Sequence, residues 1–211
     1  MPSSGDYSNR WRGHDAMKLA LLRHGVTAWN LEKRVQGRID QPLCAAGRDQ
    51  LARLAIPPSI LGYRWYCSPL QRATETAELL GLADFTLEPA LIEMSWGDWE
   101  GQILKPLRKK LGDSMRANEA RGLDFCPPGG ESPRRVQARL QPWLQQIATS
   151  GHDSAAVVHK GIIRCVYALA WGWDMRGEAP VDFAWDAIHP FELSEHGELL
   201  ESYRCIPLQK K

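Results

Sequence analysis

The sequence has almost no charge excess of either sign. Lys plus Arg total 26 and Asp plus Glu total 25, which leaves a formal net charge of +1 over 211 residues. A nucleic-acid binder carries a basic excess to neutralise phosphates, so a surface built broadly for polyanions is excluded. Long apolar runs are missing too; none approaches the roughly 18 residues that a membrane helix needs. Disorder is excluded by the opposite measure, because 44% of residues are hydrophobic and the charges cancel. Cysteine is sparse: Cys44, Cys67, Cys126, Cys165 and Cys205 are odd in number, scattered, and form no C-x-x-C pair. Neither a disulfide framework nor a structural zinc site is expected, and a cytoplasmic location is. The histidines include no H-x-x-x-H pair and no carboxylate cluster of metal-site type is present, so no metal is expected. No G-x-G-x-x-G follows the first strand candidate, which sets aside a dinucleotide-binding enzyme. Repeats and low-complexity tracts are absent. Residues 1–17 lack the apolar core of a secretory signal and, being rich in Ser, Gly, Asp, Asn and Arg, are read as a disordered tail.

What remains is a single-domain length, 18–208, long enough to bury roughly 70% of its unfolded surface. Leu19-Ala20-Leu21-Leu22 is a short apolar run stopped by Arg23-His24-Gly25, the pattern of a buried strand. Arg64–Cys67, Phe85–Leu87 and Ala155–Val158 read the same way. Phe191–Leu193 and Leu199–Tyr203 suggest a terminal hairpin. Between them lie helix candidates at Cys44–Leu54, Leu70–Leu80 and Gly161–Trp171. Ser68-Pro69 is taken as cap and first turn of the second of these. Ser132-Pro133 starts another, with Val136, Leu140, Leu144 and Ile147 on one face and a bend expected at Pro142. Alternating strands and helices predict an α/β chain: a three-layer αβα sandwich with a mostly parallel, doubly wound sheet. Residues 101–132 are read as a helical insertion with a Pro/Gly-rich loop, placed as a lid.

Ligands of open α/β sheets bind at the carboxyl ends of the strands. Three predicted strands end in Arg23-His24, in Ser68 followed by Arg72, and in His159. If those strands are parallel, two imidazoles and two guanidiniums meet at one edge, where helix starts also aim backbone N–H groups. Arginine binds phosphate oxygens two at a time, so the set suits a dianionic phosphate. A strand-end histidine is nonetheless often just a hydrogen-bonded structural residue, and composition alone leaves both readings standing.

The motifs go further. Arg23-His24-Gly25-Val26-Thr27-Ala28-Trp29-Asn30 resembles the R-H-G-x-T-x-x-N signature of the histidine phosphatase superfamily, the phosphoglycerate mutase-like proteins. The resemblance continues, in family order, through Gln36–Leu43, Ser68–Ala73, Leu91–Gly101, Pro128–Ser132 and Val158–Arg164. It implies that His24 is a nucleophile forming a phosphohistidine. Arg23, Arg72 and His159 would hold the phosphoryl oxygens, with Asn30 as a further contact. Glu93 would be the acid that protonates the leaving oxygen and then the base that activates water, with Trp96 and Trp99 desolvating it. Gln36 and Gly37 would line the substrate side. Two positions depart from the pattern. Lys160 stands where glycine is common and is expected to turn outward, and Cys44 replaces a Ser or Thr cap, so the helix after it should be weakly capped.

Arg34-Val35-Gln36-Gly37-Arg38 looks like the phosphatase branch, where cofactor-dependent mutases usually show Phe-Thr-Gly-Trp. The resemblance thus implies a metal-independent phosphomonoester hydrolase. It would need no cofactor, take a small phosphorylated metabolite, and have no nucleic-acid or membrane partner; many relatives form homodimers. Mutase-type phosphotransfer is the alternative, followed by a non-catalytic phospholigand binder on the same fold.

Overall fold

The computed structural model describes residues 16–200 and 204–211. Residues 1–15, most of the expected tail, and 201–203, in the expected hairpin, lie outside the described residues. The first strand, β1 (Met17–Arg23), already includes Met17, the last residue of that tail. The chain continues as α1 (Ala28–Leu31), α2 (Ala45–Ala52), β2 (Leu54–Ala55), α3 (Pro58–Leu61), β3 (Arg64–Cys67), α4 (Gln71–Leu79) and β4 (Thr86–Leu87). The insertion supplies α5 (Leu104–Leu111) and α6 (Asp113–Glu119). Then come α7 (Pro133–Thr149), β5 (Ser154–Val158), α8 (Lys160–Trp171), β6 (Ala187–Leu193), β7 (Leu199–Leu200), β8 (Ile206–Pro207) and β9 (Gln209–Lys210).

The main sheet has the order β4-β3-β5-β1-β6-β7, with β8 also paired to β6. Its β4-β3-β5-β1 half is parallel, while β6 runs antiparallel to β1 and carries β7 and β8 antiparallel in turn. Successive strand residues point to opposite faces, so the apolar run of β1 divides between two cores. Leu19 and Leu21 pack with Val136, Leu140 and Leu144 of α7 and Ile162 and Val166 of α8. Ala20 and Leu22 pack with Leu51 of α2 and Ala73 and Ala77 of α4. Helices therefore cover both faces. The insertion packs on the segment just before it, in a small core of Trp99, Leu107 and Met115 with Trp96 and Phe125 against it.

Some local expectations need correction. Ser68 is not the cap of α4, which begins at Gln71 after Leu70. The Ser68-Pro69 bend leaves the serine at the strand end with its hydroxyl on a histidine. Ser132 does cap α7, accepting from the Arg135 amide, and Pro142 lies inside α7. Cys44 precedes α2 without a side-chain cap, as expected. The hairpin strand β6 starts four residues earlier than Phe191, because Ala187–Pro190 pairs with β1 and β8. The carboxyl terminus beyond 208 also belongs to the fold, since β9 pairs with β2.

Candidate active site

Sheet register brings the site together. Arg23 is level with Val158, and Cys67 with Val157, so β1, β3 and β5 end side by side. The ladder runs one residue past the strands: the His24 amide donates to Val158 O at 2.9 Å and the Ser68 amide to Val157 O at 3.0 Å. His24, Ser68 and His159 are therefore adjacent, and the two imidazole centroids stand 5.2 Å apart.

His24 is 6% exposed. Its Nδ1 bonds to Gly25 O at 2.7 Å, which puts the proton on Nδ1 and leaves the Nε2 lone pair free; Nε2 makes no hydrogen bond within the described residues. Burial, then the charges of Arg72 and Arg23, hold His24 well below the usual histidine pKa. The ring is neutral at pH 7 and nucleophilic through Nε2.

His159 is fully buried. Arg72 Nε donates to its Nδ1 at 3.3 Å, so Nε2 carries the proton and donates to Ser68 Oγ at 2.7 Å. Burial and Arg72 keep it neutral as well. Arg72, also wholly buried, spends two further N–H groups on backbone carbonyls, Gly37 O at 2.7 Å and Ile39 O at 3.3 Å. Gly37 thus does not line the cavity; it holds Arg72 from below. Glu100 fixes this loop, accepting from the amides of Arg38 at 2.9 Å and Ile39 at 2.7 Å. A Cβ on Gly37 would meet Glu100 Oε1 at 2.2 Å, which is why glycine is needed there. Sequence reasoning missed Ser68 and Glu100 as positioning residues; only the strand-end place of Ser68 signalled it.

Glu93 is 5% exposed. Its oxygens accept from the Gly161 amide at 3.0 Å and the Met94 amide at 2.8 Å. Burial raises its pKa, and those two amides and the nearby arginines only partly offset it. Arg139 anchors the segment from behind, donating to Ile92 O at 2.7 Å and pairing with Glu131 at 2.9 Å. Trp96 lines the cavity beside Glu93, whereas Trp99 is buried in the small core it shares with the insertion.

Asn30 caps the turn: its Oδ1 accepts from the Thr27 amide, and the Thr27 hydroxyl oxygen accepts from the Asn30 amide. Asn30 Nδ2 and the Thr27 hydroxyl both donate to Gln36 Oε1. That fixes the Gln36 amide, whose Nε2 is buried with no acceptor among the described residues; Arg23 Nε is in the same condition. Arg23, His24, Asn30, Gln36 and Glu93 line one cavity of about 780 Å³. Its wall also includes Lys160 and Arg164, so Lys160 does not simply turn outward. Unpaired donors, a free imidazole nitrogen and a buried carboxyl in one crevice suit transfer of a phosphoryl group. Among the described residues no group of three His, Cys, Asp or Glu is placed to hold a metal, and no helix is long and apolar enough to cross a membrane.

The family model described as "Histidine phosphatase superfamily (branch 1)" matches residues 19–205. The chain is 32% identical over 165 residues to an Arabidopsis thaliana protein named Phosphoglycerate mutase-like protein 4, covering 74% of this chain and 72% of that one. It is 30% identical over 162 residues to an Arabidopsis thaliana protein named Metal-independent phosphoserine phosphatase, covering 72% and 68%. Among solved structures, TTHB049 from Thermus thermophilus superposes with a TM-score of 0.64 at 28% identity, covering 89% of this chain and 99% of that one.

Proposed function

The chain belongs to the histidine phosphatase superfamily, and from that premise we propose that it is a metal-independent phosphomonoester hydrolase working through a phosphohistidine at His24. The observation that carries this reading is His24 itself, whose Nδ1 is tied to Gly25 O while the ring stays neutral and faces the cavity.

In the first step the lone pair of His24 Nε2 attacks phosphorus. The P–N bond forms and the P–O ester bond breaks, with the proton of the Glu93 carboxyl passing to the leaving oxygen. Arg23 and Gln36 supply N–H groups to the phosphoryl oxygens, with Asn30 orienting Gln36, while Arg72, buried behind the cavity wall, adds its positive charge and holds His159 and the Gly37 carbonyl in place. In the second step a water attacks phosphorus, Glu93 takes its proton, and the P–N electron pair returns to His24. Inorganic phosphate leaves, and Glu93 ends protonated as it began. His159 acts here through Arg72 and Ser68, both of which it bonds, and contributes a fixed dipole beside the phosphoryl group.

Two relatives point in different directions, one named a phosphatase and the other mutase-like. Hydrolysis is favoured by the Arg34-Val35-Gln36-Gly37-Arg38 run, which resembles the phosphatase branch. A panel of phosphomonoesters assayed in excess EDTA tests the proposal, with His24→Ala alongside. Turnover in EDTA and its loss in the variant are expected. Wild-type activity in His24→Ala would overturn the assignment, and efficient conversion of 3-phosphoglycerate to 2-phosphoglycerate with added 2,3-bisphosphoglycerate would replace it with the mutase reading.

A further inference from the structure

The cavity extends past the reacting group, and its outer wall is cationic in an unusual way. Arg34 and Arg108 on that wall are matched by Glu32 and Glu119. Lys33, Lys160 and Arg164 also line the cavity and have no carboxylate partner among the described residues, and Lys160 and Arg164 are set apart from Lys33 by what holds them. Aromatic rings seat them instead. Lys160 Nζ lies 4.8 Å from the centroid of Trp185, a ring that also carries the Arg23 guanidinium at 5.8 Å. Arg164 lies 5.0 Å from Trp173 and 5.5 Å from Phe183. Phe183 and Trp185 are themselves stacked at 4.7 Å, so one aromatic shelf supports three cations. None of the three rings lines the cavity; they hold the cations from behind.

This arrangement is costly without an anion. Three like charges share one shelf and repel one another, and the rings that seat them bring no negative charge to cancel that repulsion. Partial burial, then the charges of Arg23 and Arg164, lower the Lys160 ammonium from its usual range. Glu93, the carboxyl whose charge opposes that shift, is needed in its protonated form for the first chemical step. Arg23 serves the phosphoryl group, which leaves Lys160 and Arg164 for something else. They sit one and five residues after His159, on the first turns of α8, so both project from the end nearest the chemistry.

We propose that Lys160 and Arg164 form a second anion subsite, so that the preferred ester carries a carboxylate or second phosphate a few bonds from the phosphoryl group that reacts. The proposal rests on the hydrolase reading for the word ester, but the subsite itself can be read by binding. Phosphonates serve as probes because their C–P bond is not hydrolysed: propylphosphonate, 3-phosphonopropanoate and propane-1,3-bisphosphonate, titrated calorimetrically at moderate salt. The wild type should bind at least one second-anion probe about tenfold or more tighter than propylphosphonate. The carboxylate and bisphosphonate arms tell which anion fits. Lys160→Met with Arg164→Met should bring that ratio to within about twofold, and Arg164→Lys alone should keep most of it. An equal affinity for all probes in the wild type, or a ratio that survives in the double variant, would overturn the subsite. The same wild-type preparation is assayed in excess EDTA with a panel of phosphomonoesters that includes 4-nitrophenyl phosphate and esters carrying a carboxylate or a second phosphate. Absence of turnover with the binding ratio intact sinks the hydrolase reading and leaves the subsite standing; turnover without the ratio does the reverse.

Discussion

The two strand ends that carry His24 and His159 look alike in sequence and differ in what surrounds the ring. Both follow a buried strand, both lead toward a helix, and burial with Arg72 keeps both neutral. The first has one nitrogen anchored to Gly25 O and the other open to the cavity. The second has both nitrogens bonded inside the protein, to Arg72 and Ser68. Residue type and position along a strand therefore do not separate the proposed nucleophile from the proposed support. The partners do, because a ring nitrogen that donates or accepts within the protein has no lone pair to offer phosphorus.

The sharpest break in this comparison is kinetic. His24→Ala should lose on the order of 10⁴-fold or more in kcat, because no covalent intermediate can form. His159→Ala should lose about 10²- to 10³-fold, the size of losing one fixed polar group near the transition state. Acid-labile, base-stable phosphoenzyme should still be trapped in His159→Ala and not in His24→Ala. Equal losses with equal trapping would mean that the two rings are interchangeable.

Much of this is legible in the sequence. The short apolar runs Leu19–Leu22 and Ala155–Val158, each stopped before a glycine, read as strands between two covered faces, as they are, and their ends name Arg23, His24 and His159. Ser68 misleads because a Ser-Pro pair before a helical pattern has the same local signature as a cap; its real partner is His159, 91 residues away. Gly37 and Glu100 are a similar case, since Glu100 holds the amide after Gly37 from 62 residues away, across α2 to β4, and follows no periodicity. The aromatic shelf under Lys160 is hidden for another reason. Residues 173–185 have no regular element, so nothing in their pattern places Trp185 beside Arg23.

A finer separation comes from the glycine that follows each ring. Gly25 turns its carbonyl to His24, while Gly161 turns its amide to Glu93. Glu93→Gln removes the transferable proton, so alkyl phosphates, which have poor leaving groups, should slow by about 10² or more while aryl phosphates slow much less. A Cβ at Gly161 would stand 2.4 Å from Glu93 Oε1. Gly161→Ala should therefore give the same leaving-group pattern with a smaller loss, by displacing the carboxyl. If either variant slows both ester types equally, Glu93 is not the proton donor and the His159 side of the site has another role.

The smallest effect uses a third buried histidine to separate burial from neighbouring charge. His189 on β6 is fully buried, bonds through Nδ1 to the Tyr167 hydroxyl at 3.0 Å, and does not line the cavity. Burial pushes its pKa down to about 4. The unfolded chain takes up a proton near pH 6.5 that the folded ring refuses. Its contribution to stability is thus complete above that pH and is lost as pH falls toward about 4, at up to about 1.4 kcal/mol per pH unit. His24 and His159 act with the same sign, since their folded values are also depressed. Glu93 has a raised folded value and acts oppositely, favouring the fold at lower pH. Urea unfolding at pH 7.5 and 5.5 should show the wild type losing stability on acidification. His189→Gln changes the level at both pH values by removing packing, so the slope is the readout, and it should flatten by up to about one proton's worth. His24→Ala should flatten it as well. An unchanged slope in His189→Gln together with a flattened one in His24→Ala would mean that the arginines, rather than burial, keep the site histidines neutral.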